Sequence, residues 1–148
     1  MPTFVAAGAG FLVAVLWFDL MFDVQTRRHP EGSAPEDVLA SISAYYRRVT
    51  TEARPMNLLV ALVMALTVGT IIAEIVQGVA PWWITWVSLA AAASAMGLAR
   101  FRTVPNAVRL GRAEDSHETR DRLARRIYRD HLYCFSAMVL VVGLHFLA

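Results

Sequence analysis

The fold class predicted for this chain of 148 residues is all-α: an integral membrane four-helix bundle with helical cytoplasmic extensions and both termini outside. Two observations carry that prediction. The residues are 57% hydrophobic and 18% charged, and the apolar ones gather in four long runs. All fourteen basic residues are arginines confined to positions 27–54 and 100–129, so the four runs carry none. Translocation retains arginine-rich loops in the cytoplasm, and two such loops separated by an uncharged turn specify four crossings. The chain reads as a single membrane domain, residues 1–148, multi-pass in a bacterial inner membrane.

The first span is placed at about 4–21. No basic residue precedes it and Arg27 and Arg28 follow it, which reverses the flanks of a secretory signal. Spans two, three and four are placed at about 56–77, 82–99 and 132–148. At 1.5 Å per residue each crosses most of a ~30 Å hydrocarbon core. Backbone groups in lipid must pair within their own segment, so all four are expected to be helices. Small residues in span one (Ala6, Gly8, Ala9, Gly10) and span three (Ala90 to Ala95, Gly97) suit close helix approach. On spans two and four, Leu58, Leu62, Phe135 and Leu144 fill the interior or face acyl chains.

Only a few residues separate spans two and three, so a tight outer hairpin is expected. Pro81 stands at a helix start, and Trp82, Trp83 and Trp86 suit headgroup depth, with an aromatic ligand cage as the other reading.

Both cytoplasmic loops, 24–55 and 100–130, carry helical signals. In the first, Ser33-Ala34-Pro35-Glu36 has the spacing of a capping box. Val38, Ile42, Tyr45 and Val49, with Leu39 and Tyr46 beside them, form an apolar face that needs a partner, either the membrane surface or the second loop. Pro55 is expected to kink or separate this helix from span two. In the second loop, Asp115 or Ser116 caps a helix in which Glu118 faces Arg122 and Asp121 faces Arg125, continuing past Leu123 and Ile127 into span four. Arg47-Arg48-Val49 with Glu52 resembles Arg125-Arg126-Ile127 with Asp130, a hint of duplicated hairpins.

The topology brings polar residues to one depth near the cytoplasmic boundary. Asp19 and Asp23 lie one turn apart on span one, Asn57 opens span two, Arg100 and Arg102 close span three, and His131 opens span four; Asn106 follows in the second loop. Ionisable groups near the bilayer are costly and face the bundle interior, which makes this set the candidate ligand site. The competing reading pairs Asp19 and Asp23 with Arg100, Arg102 or Arg27 to orient the bundle. Glu74, Gln77 and His145 sit near the outer end, where a solvated or hydrogen-bonded group is the default reading.

No metal site is expected, since the chain has no HExxH, no paired Glu-x-x-His and no cysteine cluster. His131 and His145 lie 14 residues apart, about 21 Å along one helix, too far to be the two axial ligands of one haem. No other cofactor motif is found. Cys134 is the only cysteine and reads as a small core residue. The pI of about 9.1 accompanies a net charge of only +2, with the arginines beside spans, so nucleic acid is not an expected partner. The expected partners are the bilayer, a small amphipathic ligand, and a second copy or a partner protein on the cytoplasmic helices.

The segment Thr103-Val104-Pro105-Asn106-Ala107-Val108-Arg109-Leu110, entered directly from span three, resembles the Pro and Asn element of the anthrone oxygenase-like family of small four-helix membrane proteins. The order of spans and the polar helix leading into span four at His131 are also similar. Here Asn106 directly follows Pro105, and Val24-Gln25 stands where a proline is expected at the end of span one. The resemblance implies a membrane protein whose characterised relatives oxidise polycyclic phenols without a metal, most members having no assigned activity. Pro105 alone also reads as a stop just past a helix. Three functions are thus in view: binding of a small amphipathic molecule at the polar set, with His131 as base; a non-enzymatic membrane subunit; and a metal-free oxygenase of the family's type. A channel or transporter ranks behind them, because the polar residues do not continue across the membrane.

Overall fold

The computed structural model describes residues 2–147, apart from the side chain of Arg54. Residues 1 and 148, expected outside, lie beyond the described residues. The chain forms helices α1 (Pro2–Asp23), α2 (Glu36–Arg47), α3 (Arg54–Gln77), α4 (Trp82–Leu98), α5 (Val104–Arg112) and α6 (His117–Phe146), with no strand among the described residues. Four helical runs are long and apolar enough to cross a membrane: Pro2–Arg28, Pro55–Gln77, Trp82–Arg112 and His117–Phe146.

These four pack as a ring. α1 lies against α3 and α6, and α4 closes the ring between α3 and α6. The ring's core is small-residue rich: Ala9, Ala92, Ala95 and Ala137 pack with Val5, Leu12, Ile71, Met138 and Val141, and Cys134 is buried among them. Close approach is tightest between α1 and α3, where a Cβ on Gly8 would collide with Thr67 Oγ1. Gly10 and Gly97 have nothing within 4 Å of such a Cβ, so close contact does not extend to them. Leu144 turns inward, while Leu58, Leu62, Leu66, Val76, Leu140 and Phe146 stay exposed. An apolar exterior of this extent is what lipid contact requires. Trp82, Trp83 and Trp86 are all exposed at the start of α4 and form no cage.

A second core forms at the arginine-rich end of the ring. The apolar face of α2 is partnered: Leu39, Ile42 and Tyr46 pack with Ala107 and Leu110 of α5 and with Leu123, Ala124 and Ile127 of α6. The second loop, not an open surface, covers that face. α6 serves both cores, running unbroken for 30 residues with Ser116 as its N-cap. The expected ion pairs form at Arg122–Glu118 and Arg125–Asp121. Asp115 bonds Arg109 instead of capping the helix.

Two local expectations are corrected, and the one at Pro55 holds. Ser33 does not cap α2; its hydroxyl donates to the Pro30 carbonyl at 2.9 Å, and the helix begins at Glu36. The Glu36 carboxylate, which would have to reach back to close such a box, instead takes Arg120 at 2.7 and 2.8 Å. Pro105 does not stop the third long helical run. Residues Ala99–Thr103 form a π turn and the helical run continues to Arg112, the wider turn accommodating a proline that offers no N–H. A π turn over Arg48–Glu52 likewise precedes Pro55, but there the chain breaks at Ala53 (φ −92°, ψ 52°) before α3 starts.

The α2–α5 crossing depends on Gly111. A Cβ there would lie 2.7 Å from the Arg47 backbone nitrogen, and backbone cannot rotate aside. Gly111→Ala should therefore destabilise the protein by about 1–3 kcal/mol from overpacking, outweighing the ~1 kcal/mol helix-propensity gain. Gly97→Ala, in open space, should melt at or above the wild-type temperature. Thermal melts of both variants check the pair; a Gly111→Ala protein as stable as Gly97→Ala would contradict this crossing.

Candidate functional site

The junction between the two cores is polar. Asp23, the last residue of α1, is fully buried. One carboxylate oxygen accepts the Tyr46 hydroxyl of α2 at 2.5 Å, and the other accepts His131 Nδ1 of α6 at 2.7 Å. One turn earlier, Asp19 accepts the Tyr45 hydroxyl at 2.5 Å. Its other oxygen lies 4.0 Å from His131 Nε2, beyond hydrogen-bond range. Phe22 stacks on the Tyr45 ring at 4.0 Å, closing the α1 side. Two carboxylates, two phenols and one imidazole thus meet from three helices.

Helical periodicity explains the assembly. Asp19 and Asp23 share a face of α1 at i and i+4. Tyr45 and Tyr46 flank the edge of the α2 face whose Leu39 and Ile42 enter the second core. His131 lies where α6 passes from one core to the other. Sequence reasoning treated both tyrosines as packing residues. Their hydroxyls were the available signal, because a buried phenol O–H needs a partner and the acidic pair on α1 is the nearest polar group.

Of the residues expected here, Asp19, Asp23 and His131 come together and the others do not. Asn57 is exposed near the start of α3. Arg100 is exposed, its guanidinium 5.9 Å from the Phe101 ring centroid. Arg102 pairs with Asp130, not with Asp19 or Asp23. Arg27 reaches Tyr128. Asn106 lies on α5, with its amide nitrogen buried and without a partner. The expected Asp–Arg pairing fails because Tyr45, Tyr46 and His131 already occupy the carboxylates. Asp130, missed from sequence, is buried and also accepts from Thr103 at 3.2 Å. It stands next to His131 on a helix entering a span, a placement that could have marked it.

The site has the form of an oriented base. With Nδ1 held against the Asp23 carboxylate, a neutral His131 would carry its lone pair on Nε2, which has no hydrogen-bond partner among the described residues. The cluster is nearly closed: the side chains of Asp23, His131 and Asp19 are 0%, 10% and 16% exposed. Asp19 and Tyr45 are its part-exposed edge. Among the described residues no group of three or more His, Cys, Asp or Glu is arranged to hold a metal ion.

At the opposite end, Glu74 of α3 and His145 of α6 form a buried pair at 3.2 Å, with His145 Nδ1 bonded to the Val141 carbonyl at 2.9 Å. Gln77, expected beside them, is exposed. This pair is hydrogen-bonded, not solvated.

Burial, and then the Asp23 and Asp19 carboxylates, push the Tyr46 phenol well above its ordinary value near 10. Because the folded-state value lies above the unfolded one, the stability linked to this proton is complete below about pH 10 and is lost as pH rises toward the folded-state value. Unfolding free energy should therefore fall above about pH 10, and less steeply in Tyr46→Phe. At neutral pH that variant should lose about 1.5–3 kcal/mol, the worth of a hydrogen bond to a charged group. Denaturant titrations across pH measure both, and identical alkaline limbs would contradict the buried phenol.

Comparison of the chain with protein families, with characterised proteins and with solved structures finds no match to any of them.

Proposed function

We propose that this chain is a multi-pass protein of the bacterial inner membrane, with both arginine-rich segments in the cytoplasm and the α3–α4 hairpin outside. It binds a small amphipathic molecule at the Asp19–Asp23–His131 cluster, and His131 Nε2 takes a proton from an acidic O–H of that molecule. The single observation that carries the reading is the orientation of His131: Nδ1 held by a fully buried carboxylate, Nε2 without a hydrogen-bond partner among the described residues. Asp23 fixes the tautomer and stabilises the imidazolium formed on proton transfer, while Asp19, 4.0 Å away, adds favourable charge. The ligand enters from the lipid side, where Asp19 and Tyr45 are part-exposed and the α1 surface carries exposed Trp17 and Phe18. Phenolic substrates are the class that the likeness to anthrone oxygenase-like proteins implies, and proton removal from a phenol is the step that would precede their metal-free oxidation.

A second reading is favoured by one observation. Asp23 and Tyr46 complete their hydrogen bonds within the chain, so the cluster also suits a non-enzymatic membrane subunit in which it only fastens α2 to the bundle.

Two measurements test these proposals. Single cysteines at Ser33 and Gly78, in a Cys134→Ser background, should label from outside intact cells at Gly78 only; labelling of Ser33→Cys would reverse the orientation. For the site, 1-naphthol in nanodiscs holding the protein should ionise at lower pH than in empty nanodiscs. His131→Gln should abolish the shift and His145→Gln preserve it. A wild-type protein indistinguishable from empty nanodiscs would overturn the base assignment and leave the fastening reading.

A further inference from the structure

Arg122, Arg126, Arg129 and Tyr133 recur on α6 at i, i+4, i+7 and i+11, one face of the helix, and all four are exposed. They span about 16 Å along the axis. Arg122 and Arg126 are like charges one turn apart, as are Arg125 and Arg129, a spacing that disfavours a helix by a few tenths of a kcal/mol per pair. Carboxylates compensate only part of this. Arg122 meets Glu118 at 3.4 Å and Arg125 meets Asp121 at 2.8 Å, whereas among the described residues Arg126 and Arg129 have no carboxylate within 4.0 Å.

Two hollows meet on this face. The first, about 440 Å³, is lined by Arg109 of α5, by Arg122, Arg125, Arg126 and Arg129 of α6, and by Glu31. The second, about 470 Å³, is an open groove between α4 and α6, lined by Ser94, Leu98, Arg102, Arg129, Asp130 and Tyr133. Arg129 belongs to both, so the arginine cleft continues into the groove. Within that groove Arg102 is neutralised by Asp130, and Tyr133 is tied to Ser94 at 2.7 Å, leaving Leu98 and the Tyr133 ring as its apolar surfaces. Charge therefore lies at the end away from the spans and apolar surface at the end toward them, the polarity of an anionic amphiphile set upright in a membrane.

We infer that this face is a binding site for a phosphate-bearing amphiphile, an anionic phospholipid, with its phosphate between Arg126 and Arg129 and its chain along Leu98 and Tyr133. Guanidinium forks match phosphate oxygens in geometry as well as charge. The anion removes the part of the like-charge cost on α6 that the protein's own carboxylates leave uncompensated. The site is separate from the His131 cluster, does not require that cluster to be catalytic, and adds a resident lipid to the protein's partners.

Native mass spectrometry of the full chain released from nanodiscs of phosphatidylcholine and phosphatidylglycerol in equal amounts tests it. The wild type should retain phosphatidylglycerol, and Arg126→Ala/Arg129→Ala should retain about ten-fold less, the loss of ~1.4 kcal/mol. Arg100→Ala removes an exposed arginine outside both hollows and should retain it like the wild type; an equal loss there would reduce the effect to general charge and overturn the site. Arg126→Lys/Arg129→Lys keeps the charge without the fork and should fall between wild type and the alanine variant. Its melting temperature, together with that of the alanine variant, shows that both remain folded. Glycerol phosphate added to delipidated protein distinguishes the source: binding as tight as that of the lipid would make the ligand a soluble phosphate ester and overturn the phospholipid. Loss of the naphthol shift in His131→Gln with lipid retention intact would leave this site standing.

Discussion

A buried carboxylate bonded on both sides holds this molecule together. Asp23 ends α1 with no exposure to solvent, and it accepts from Tyr46 of α2 and His131 of α6. An uncompensated charge at that position would cost several kcal/mol, so its two donors are obligatory partners. Together with the Tyr45–Asp19 and Arg120–Glu36 bonds they fix the seating of α2, whose remaining contacts in the second core are apolar and non-directional. Seating α2 in turn covers α5 and the first half of α6, producing the second core. Without Asp23 the ring of four long helices would keep its packing, but the register between ring and cap would rest on side-chain shape and the part-exposed Asp19–Tyr45 bond.

The rest of the cap is fastened by polar side chains of α6 reaching backbone. Buried Asp121 of α6 accepts the Gly32 N–H at 2.7 Å, while its partner Arg125 donates to the carbonyls of His29 and Pro30 at 3.0 and 2.7 Å. His117 completes the attachment through the Ala34 carbonyl at 2.8 Å. A turn without regular structure is thereby held on a long helix, satisfying backbone groups that no ladder serves. Asp121 and Arg125 thus act together on the first loop, a role beyond support for their own helix. Both ends of the bundle follow one rule, since Glu74 and His145 are also buried as a pair.

The prolines show how local rules yield to context. Pro55 and Pro105 each follow a five-residue π turn, yet one ends in a break and the other in a continuous helix. The difference lies in what each run must reach. Beyond Pro105, Ala107 and Leu110 bury in the second core, which rewards continuation. Before Pro55, α2 must lie across the cap while α3 enters the ring, and a change of direction at Ala53 is unavoidable. Resemblance at Arg47–Glu52 and Arg125–Asp130 does not extend to conformation: the first ends in a π turn and the second lies within unbroken α-helix.

Patterning alone determined the helical class, the four apolar segments to within a few residues, the continuation of α6 through Ile127 into the last span, and the i to i+4 ion pairs on it. Each of these is set by composition or by contacts within one helix, and both are written along the chain. Asp19, Asp23 and His131 were legible as one cluster because each lies near the end of an apolar segment and topology alone brings those ends together. What only the tertiary structure decided was pairing among equals. Fourteen arginines around Asp19 and Asp23 offer many plausible ion pairs, yet Arg102 went to Asp130 while those two took tyrosines and His131. Tyr45 and Tyr46 were indistinguishable from core residues until the direction of α2 across the bundle was known, because a phenol serves either role. Depth along a helix is a one-dimensional quantity that periodicity carries; rotation about the axis and the crossing of one helix over another depend on side chains far apart in the chain, and those relations exist only after packing.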